Sequence, residues 1–441
     1  MLDTLSNRTY RHLFAAQVLA LIGTGLATVA LGLLAFDLAG DNAGMVLGTA
    51  LAIKMVAYVG VAPVAAAFAD RLPRRTLLVA LDVVRAAVAL MLPFVSQIWE
   101  VYVLIFVLQV ASAAFTPTFQ ATIPDVLPRE KDYTKALSLS RLAYDMESLV
   151  SPMLAAALLT VIGFNDLFAG TAVGFLASAA LVASAVLPPP PVSPRRGVYD
   201  RTTRGLRIYL ATPRLRGLLA ISAGVAAAGS MVFVNTVVIV QGGMGLGQSA
   251  VAWTLASFGA GSMVAALVLP RVLEQLPDRT VMLTGIGVMV VSLFLGAFAN
   301  GSASLMALWF VLGLGYSSAQ TPSGRLLRRS AHAEDRPALF AAQFALSHAC
   351  WLLFYPLAGW LGARFGTSVS FALLGAAGAL AAWVALTVWP SQDPEVVMHE
   401  HPDLPVGHAH TRVEGGLSNE LRHAHVFVVD DQHPHWPSAG R

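Results

Sequence analysis

Long apolar runs separated by short polar turns dominate the chain, and each run has about the 20 residues needed to cross a bilayer. Reading from turn to turn, the pattern predicts membrane-spanning helices at 10–38, 44–69, 75–97, 99–123, 136–162 and 166–188. A second set follows at 214–241, 247–273, 280–299, 303–327, 336–363 and 367–389. Two breaks interrupt the series. A run of four prolines at 188–191, followed by a basic stretch to Arg216, cannot continue a helix and stiffens a linker. After Pro390 the apolar pattern stops. The expected fold is therefore an all-α membrane protein of twelve transmembrane helices in two six-helix halves. It divides into an N-terminal bundle over 1–188, a cytoplasmic linker over 189–213, a C-terminal bundle over 214–390 and a polar tail over 391–441.

The halves repeat. Thr116-Pro117-Thr118 ends span four and Thr321-Pro322-Ser323 lies in span ten, at an offset of 205; Ser151-Pro152 in span five and Tyr355-Pro356 in span eleven are offset by 204. A parallel six-helix repeat is the architecture of many secondary transporters, with the substrate site where the halves meet.

Composition agrees with lipid as the solvent. Of 441 residues, 56% are apolar and 12% charged, against about 25% charged in soluble chains. The single cysteine, Cys350, excludes an intrachain disulfide and any thiolate zinc or iron–sulfur site. The first run has no small-residue cleavage site and reads as a retained helix. The placement of the charges says more than the net +3. Lys and Arg crowd into alternate turns: Arg71, Arg74 and Arg75; Arg129, Lys131 and Lys135; Arg195 to Arg207; Arg271 and Arg279; Arg328, Arg329 and Arg336. The opposite turns at 39–44, 96–100, 163–166, 242–247 and 299–302 hold none. By the positive-inside rule the expected location is a bacterial inner membrane, with both termini cytoplasmic.

Ionisable residues at membrane depth are costly and point to function. Lys54 lies near the middle of span two. Asp82 and Arg85 in span three are spaced to pair, and a structural neutral pair is the better reading there. Span five holds Arg141, Asp145 and Glu147. Arg141 and Asp145 are spaced i, i+4 and can pair; Glu147 falls on another face. Asp145 is nine residues in from Ala136, about 14 Å deep. Two carboxylates there, with Lys54, suit proton exchange or cation binding. At the repeat offset His348 in span eleven is the counterpart of Tyr144, next to Asp145, and His348 and Cys350 are potential metal ligands. Asn235 in span seven is a further polar candidate. The expected coupling site is thus Lys54, Arg141, Asp145, Glu147, His348 and Asn235, against the alternative of a purely structural ion and packing network.

Residues 66–75 read Ala66-Ala67-Phe68-Ala69-Asp70-Arg71-Leu72-Pro73-Arg74-Arg75. The stretch resembles the signature loop of the major facilitator superfamily, Gly-x-x-x-Asp-Arg-x-Gly-Arg-Arg/Lys, with both glycines replaced. It also sits where that family has it, between spans two and three on the basic side. The resemblance implies a conformational latch, with Asp70 engaging a neighbouring helix and Arg71, Arg74 and Arg75 as its partners. The competing reading makes these arginines topology determinants only.

The tail holds eight of the eleven histidines as four His-x-His pairs: His399 and His401, His408 and His410, His423 and His425, His433 and His435. In an extended segment i and i+2 share a side, so each pair is able to chelate one ion. Near neutral pH most imidazoles are deprotonated ligands suited to nickel, copper, zinc or cobalt. A disordered polar tail and a pH sensor are the alternatives. Tyr-Asp-Met-Glu-Ser in span five, Ser-His-Ala-Cys-Trp in span eleven and the tail's His-Ala-His-Val-Phe-Val-Val-Asp-Asp-Gln-His resemble the nickel-resistance branch of the superfamily. That resemblance implies proton-driven export of nickel, with cobalt as a second ion. The spans also resemble the enterobactin-exporter and macrolide-efflux branch, which exports organic molecules.

The expectation is a monomeric, proton-coupled exporter of divalent metal ions, with metal at the tail and no tightly bound cofactor. The alternative is an exporter of small organic compounds or metal chelates with a regulatory tail. A non-transporting metal sensor is a third, less favoured reading. No nucleotide-binding loop, nucleic-acid signal or nucleophile–base constellation appears, so an enzyme is not expected.

Overall fold

The computed structural model describes residues 2–39, 43–69, 72–188, 197–299, 301–394, 396–400 and 422–437. The first half contains α1 (Arg8–Ala39), α2 (Ala43–Ala69), α3 (Arg74–Met91), α4 (Ile98–Val126), α5 (Glu130–Leu158) and α6 (Phe164–Ser184). The linker is not all extended chain: α7 (Val198–Ala211) forms from it. The second half contains α8 (Pro213–Val237), α9 (Gln248–Gln275), α10 (Asp278–Gly296), α11 (Ser302–Gln320), α12 (Ser323–Arg329), α13 (Arg336–Phe365) and α14 (Thr367–Val388). Thr321-Pro322 splits one span into α11 and α12, because proline cannot donate the helix bond at that point. The tail adds two short strands, β1 (Val396–Glu400) and β2 (Arg422–Val426), to an otherwise helical protein.

Among the described residues, eleven segments are long and apolar enough to cross a membrane. The sequence count was twelve. The difference is α5, whose 29 residues have the length but hold Arg141, Asp145 and Glu147 in mid-helix. It is carried by its neighbours rather than by its own apolarity.

Two of the helix starts at the lysine- and arginine-free turns, those of α4 and α6, are capped by acids. Glu100 accepts from the amides of Ser96 and Gln97 at 2.8 and 3.0 Å, and Asp166 accepts from the amide of Gly163 at 3.1 Å. Each carboxylate satisfies orphan amide donors at the positive end of a helix dipole.

The packing repeats with the sequence. In the first half α1 lies on α5 and α6, α3 on α4 and α6, and α2 on α4. The second half has the same set: α8 on α13 and α14, α10 on α11 and α14, and α9 on α11. Glycines permit the closest crossings. A Cβ at Gly261 of α9 would stand 1.9 Å from the Phe310 carbonyl oxygen, and one at Gly313 of α11 would stand 2.0 Å from that of Phe258. Small residues let membrane helices approach to this distance. The halves then meet along two equivalent seams, α2 with α13 and α5 with α9.

Candidate functional site

Both seams carry the polar groups. At the basic end, Asp125 closes α4 and receives Arg74 from α3 and, across the seam, Arg336 from α13 at 2.9 Å. Glu130 of α5 pairs with Arg325 of α12, which also holds Asp278 of α10 at 2.9 Å. Lys131 of α5 meets Glu274 of α9 at 3.0 Å. Arg328 donates across to the Pro128 carbonyl. Three ion pairs thus tie the halves together at the basic end. Beside them a cavity of about 460 Å³ lies between α5 and α9, lined by Lys131, Lys135, Leu267, Pro270, Arg271 and Glu274.

The signature-loop residues Asp70 and Arg71 lie outside the described residues. Of their proposed partners, Arg74 is buried on Asp125 while Arg75 is exposed. Sequence reasoning missed Asp125, Glu130, Glu274, Arg325 and Arg336 as residues that pair the two halves. The available signal was acids interleaved in turns otherwise rich in cations.

Deeper in, α5 presents Arg141 and Asp145 to the second seam. Arg141 Nη2 donates to Asp145 Oδ1 at 2.6 Å. Ser262 Oγ of α9 donates to Asp145 Oδ2 at 2.6 Å and accepts from Arg141 Nε at 3.2 Å. The guanidinium stacks 4.4 Å from the Tyr316 ring of α11. Asp145 is only 4% exposed, so this is a clasp between halves. Glu147 turns toward α1, where a Cβ on Gly25 would stand 2.7 Å from its Oε1.

On the other seam Lys54 and Tyr58 of α2 face Phe344 and His348 of α13. Lys54 Nζ is 5.5 Å from the Tyr58 ring centre, and His348 packs 4.8 Å from Tyr58 and 4.2 Å from Phe344. His348 Nδ1 donates to the Phe344 carbonyl at 2.7 Å, which fixes its tautomer. The structure therefore sets Lys54 beside Tyr58, with Tyr58, Phe344 and His348 packed together, and places Arg141 with Asp145 in a separate cluster.

Asn235 is elsewhere: its Nδ2 donates to the Ala358 carbonyl at 3.2 Å, tying α8 to α13 within one half. Asp82 and Arg85 pair inside the first half, with Ser178 donating to Asp82 at 2.8 Å and Arg85 between the rings of Phe115 and Phe175. Cys350 is partly buried. A group the sequence did not single out is aromatic. Phe233, Phe258 and Tyr316 form one chain of contacts and Phe233, Trp351 and Tyr355 another, at 4.9–6.0 Å between ring centres, from α8, α9, α11 and α13.

The tail docks on the second half. Asp393 accepts from Arg329 at 2.6 Å and from the Trp389 indole at 3.1 Å. Phe427 and Val429 enter the core of that half, and Trp436 covers Arg214 at 4.8 Å. Asp431 pairs at 2.8 Å with Arg204 of α7, which also holds Asp335, the residue before Arg336. Asp430 lies 3.3 Å from His332 and 2.9 Å from His433 Nδ1. Burial alone would raise the Asp430 carboxyl, but these imidazoles outweigh it and hold it below the ordinary range. Asp430 in turn raises His332. Of the expected metal ligands, His401, His408 and His410 lie outside the described residues. His399 and His423 are in β1 and β2, His425 packs 5.0 Å from the buried His433, and His435 is exposed.

Comparison with known proteins agrees with this architecture. A Bacillus subtilis protein, the uncharacterized MFS-type transporter YfiS, is 22% identical over 387 residues, 82% of this chain and 89% of its own length. Macrolide efflux protein A of Streptococcus pyogenes is 25% identical over 181 residues, 40% of this chain and 44% of its own. Among solved structures, the human organic anion transporter MFSD10 superposes with a TM-score of 0.75 at 11% identity. It covers 86% of this chain and 99% of its own. A bacterial homologue of the iron transporter ferroportin, in an outward-facing state, superposes at 0.72 and 15% identity with the same coverage. The Major Facilitator Superfamily model matches residues 13–252 and 219–406, and the chain belongs to that family: it is a membrane transporter and not an enzyme.

Proposed function

We propose that this transporter is a proton-coupled exporter of small organic compounds or metal chelates, and that its tail binds metal and regulates it. The aromatic chain where α8, α9, α11 and α13 converge supports this reading. Rings with a few fixed polar points, here Lys54, Glu147 and the Arg141–Asp145 pair, suit an organic molecule. A bare divalent cation at Asp145 would meet the Arg141 guanidinium already paired there. Similarity to macrolide efflux proteins supports export as the direction. The basic turns face the cytoplasm of a bacterial inner membrane. The gate of Asp125, Glu130 and Lys131 with Arg336, Arg325 and Glu274 then closes the cytoplasmic side and parts when the halves rock. By the signature-loop resemblance, Asp70, Arg71, Arg74 and Arg75 serve as its latch. Glu147, an acid within a spanning helix, gains and loses the coupled proton. The chain acts as a monomer.

The docked histidine tail favours a second reading, proton-driven export of nickel and cobalt ions. Accumulation assays separate the two. Cells with and without the protein are loaded with nickel, cobalt, zinc, copper, a macrolide and cationic and anionic dyes. The first reading expects lower accumulation of at least one organic compound, lost in Glu147→Gln. Reduced nickel with unchanged organic compounds would replace it by the second, and no change in any would reject both.

A further inference from the structure

The cavity of about 460 Å³ between α5 and α9 has a volume in the range of small-ligand sites, and its polar lining combines three cations with one carboxylate. Lys131 and Lys135 come from the first half, Arg271 and Glu274 from the second. The acids in reach are weak competitors for an anion. Lys131 pairs with Glu274 at 3.0 Å and Lys135 with Asp3 at 2.6 Å, but these carboxylates are 48% and 64% exposed, and exposed ion pairs contribute little. Among the described residues no carboxylate pairs with Arg271. The cations lie within the first two turns of α5 and the last two of α9, the level of lipid headgroups at the basic end.

The other two lining residues, Leu267 and Pro270, are apolar. Val264, Leu267 and Val268 are 44, 48 and 49% exposed. They stand seven, four and three residues before Arg271, and so on its face of the helix. A strip of lipid-facing apolar surface therefore leads from the cavity toward the membrane interior. A soluble anion would use only the cations, whereas a phospholipid would use the strip as well.

We infer that this cavity is a headgroup site for one anionic phospholipid of the leaflet at the basic end. Its phosphate lies among Lys131, Lys135 and Arg271 in place of Glu274 and Asp3, and its acyl chains follow Leu267 and Val264. The lipid joins cations of both halves, so it holds the basic end of the α5–α9 seam closed. That consequence rests on the rocking gate of the proposed function; the binding does not.

The test titrates the full-length protein, purified in detergent, with phosphatidylglycerol or zwitterionic phosphatidylcholine and reads the bound fraction by native mass spectrometry. One phosphatidylglycerol should bind several-fold more tightly than phosphatidylcholine; equal binding overturns the proposal. Lys131→Gln and Arg271→Gln, both at exposed positions, should each weaken it by about fivefold. Glu274→Gln breaks the same ion pair as Lys131→Gln but removes the negative charge, so it should tighten binding. A loss in Glu274→Gln would mean that the ion pair only shapes the seam, and sinks the site. Arg216→Gln, an exposed cation elsewhere at the basic end, should stay within about twofold; an equal loss there means diffuse surface attraction and overturns it too. Glycerol 1-phosphate in large excess should not displace the lipid, and displacement would make this a soluble-phosphate site instead. Phosphatidylglycerol should also raise the melting temperature of the unaltered protein, by mass action, and this gain should vanish in Arg271→Gln. A gain that persists in that variant places the lipid elsewhere.

Discussion

Asp145 accepts hydrogen bonds from Arg141 on its own helix and from Ser262 across the seam. Ser262→Ala should remove about 1.5–3 kcal/mol from the clasp and slow transport modestly. Asp145→Asn leaves Arg141 with a neutral partner in a buried site, a change that costs about 3–5 kcal/mol. It should lower the melting temperature and reduce proteoliposome transport by about tenfold or more. Equal melting temperatures and rates in both variants would remove the clasp from the mechanism. The i, i+4 spacing made the Arg141–Asp145 pair legible in the sequence. Ser262 was not legible, because it lies 117 residues away and a serine in an apolar helix looks like any other. His348 shows the same limit. The repeat made it the counterpart of Tyr144, and nothing in the spacing showed that its ring packs on Tyr58 and Phe344.

At the level of elements, the hydrophobic pattern located the spans to within several residues at most ends, because lipid demands long apolar runs. It did not show α7, the break at Pro322 or the two strands. Those depend on docking against other segments rather than on local pattern. The gate shows how elements act together: Asp125 at the end of α4 joins the starts of α3 and α13. Asp125→Asn should loosen the seam at Arg336 and raise the share of molecules open at the basic end. In a Cys350→Ser background, a cysteine placed at Leu137, which packs beside Gly324, should then react several-fold faster with a polar maleimide. An unchanged rate would show that Asp125 does not hold the gate.

On the scale of the whole molecule, the tail couples the second half to its surroundings through titratable contacts. His332 is raised by Asp430. Its contribution to docking is therefore fully present below the unfolded histidine value near 6.5 and is lost as pH rises through the raised one. Asp430 is lowered, so its contribution is present above the unfolded value of 3.8 and is lost as pH falls through the lowered one. Docking should be tightest between these limits. Spin labels at Tyr199 and His435, both exposed, should show one short distance at pH 6 and a broader distribution at pH 9. The same distribution at both pH values would exclude His332 from the dock. Composition revealed the tail as a separate segment, but not that Phe427, one apolar residue among many polar ones, is 2% exposed in the transporter's core.

The polarity of α5 bears on how the protein is made. Each charge at the bilayer centre costs about 2.5–3.5 kcal/mol on insertion, and α5 carries three. As the ribosome delivers this segment, Arg141 has Asp145 at hand, but Ser262 and Tyr316 are more than a hundred residues from synthesis. During that interval α5 has to be sheltered by α1 and the insertion machinery. The polar contacts of α5 are thus completed only when Ser262 and Tyr316 of the second half have been made.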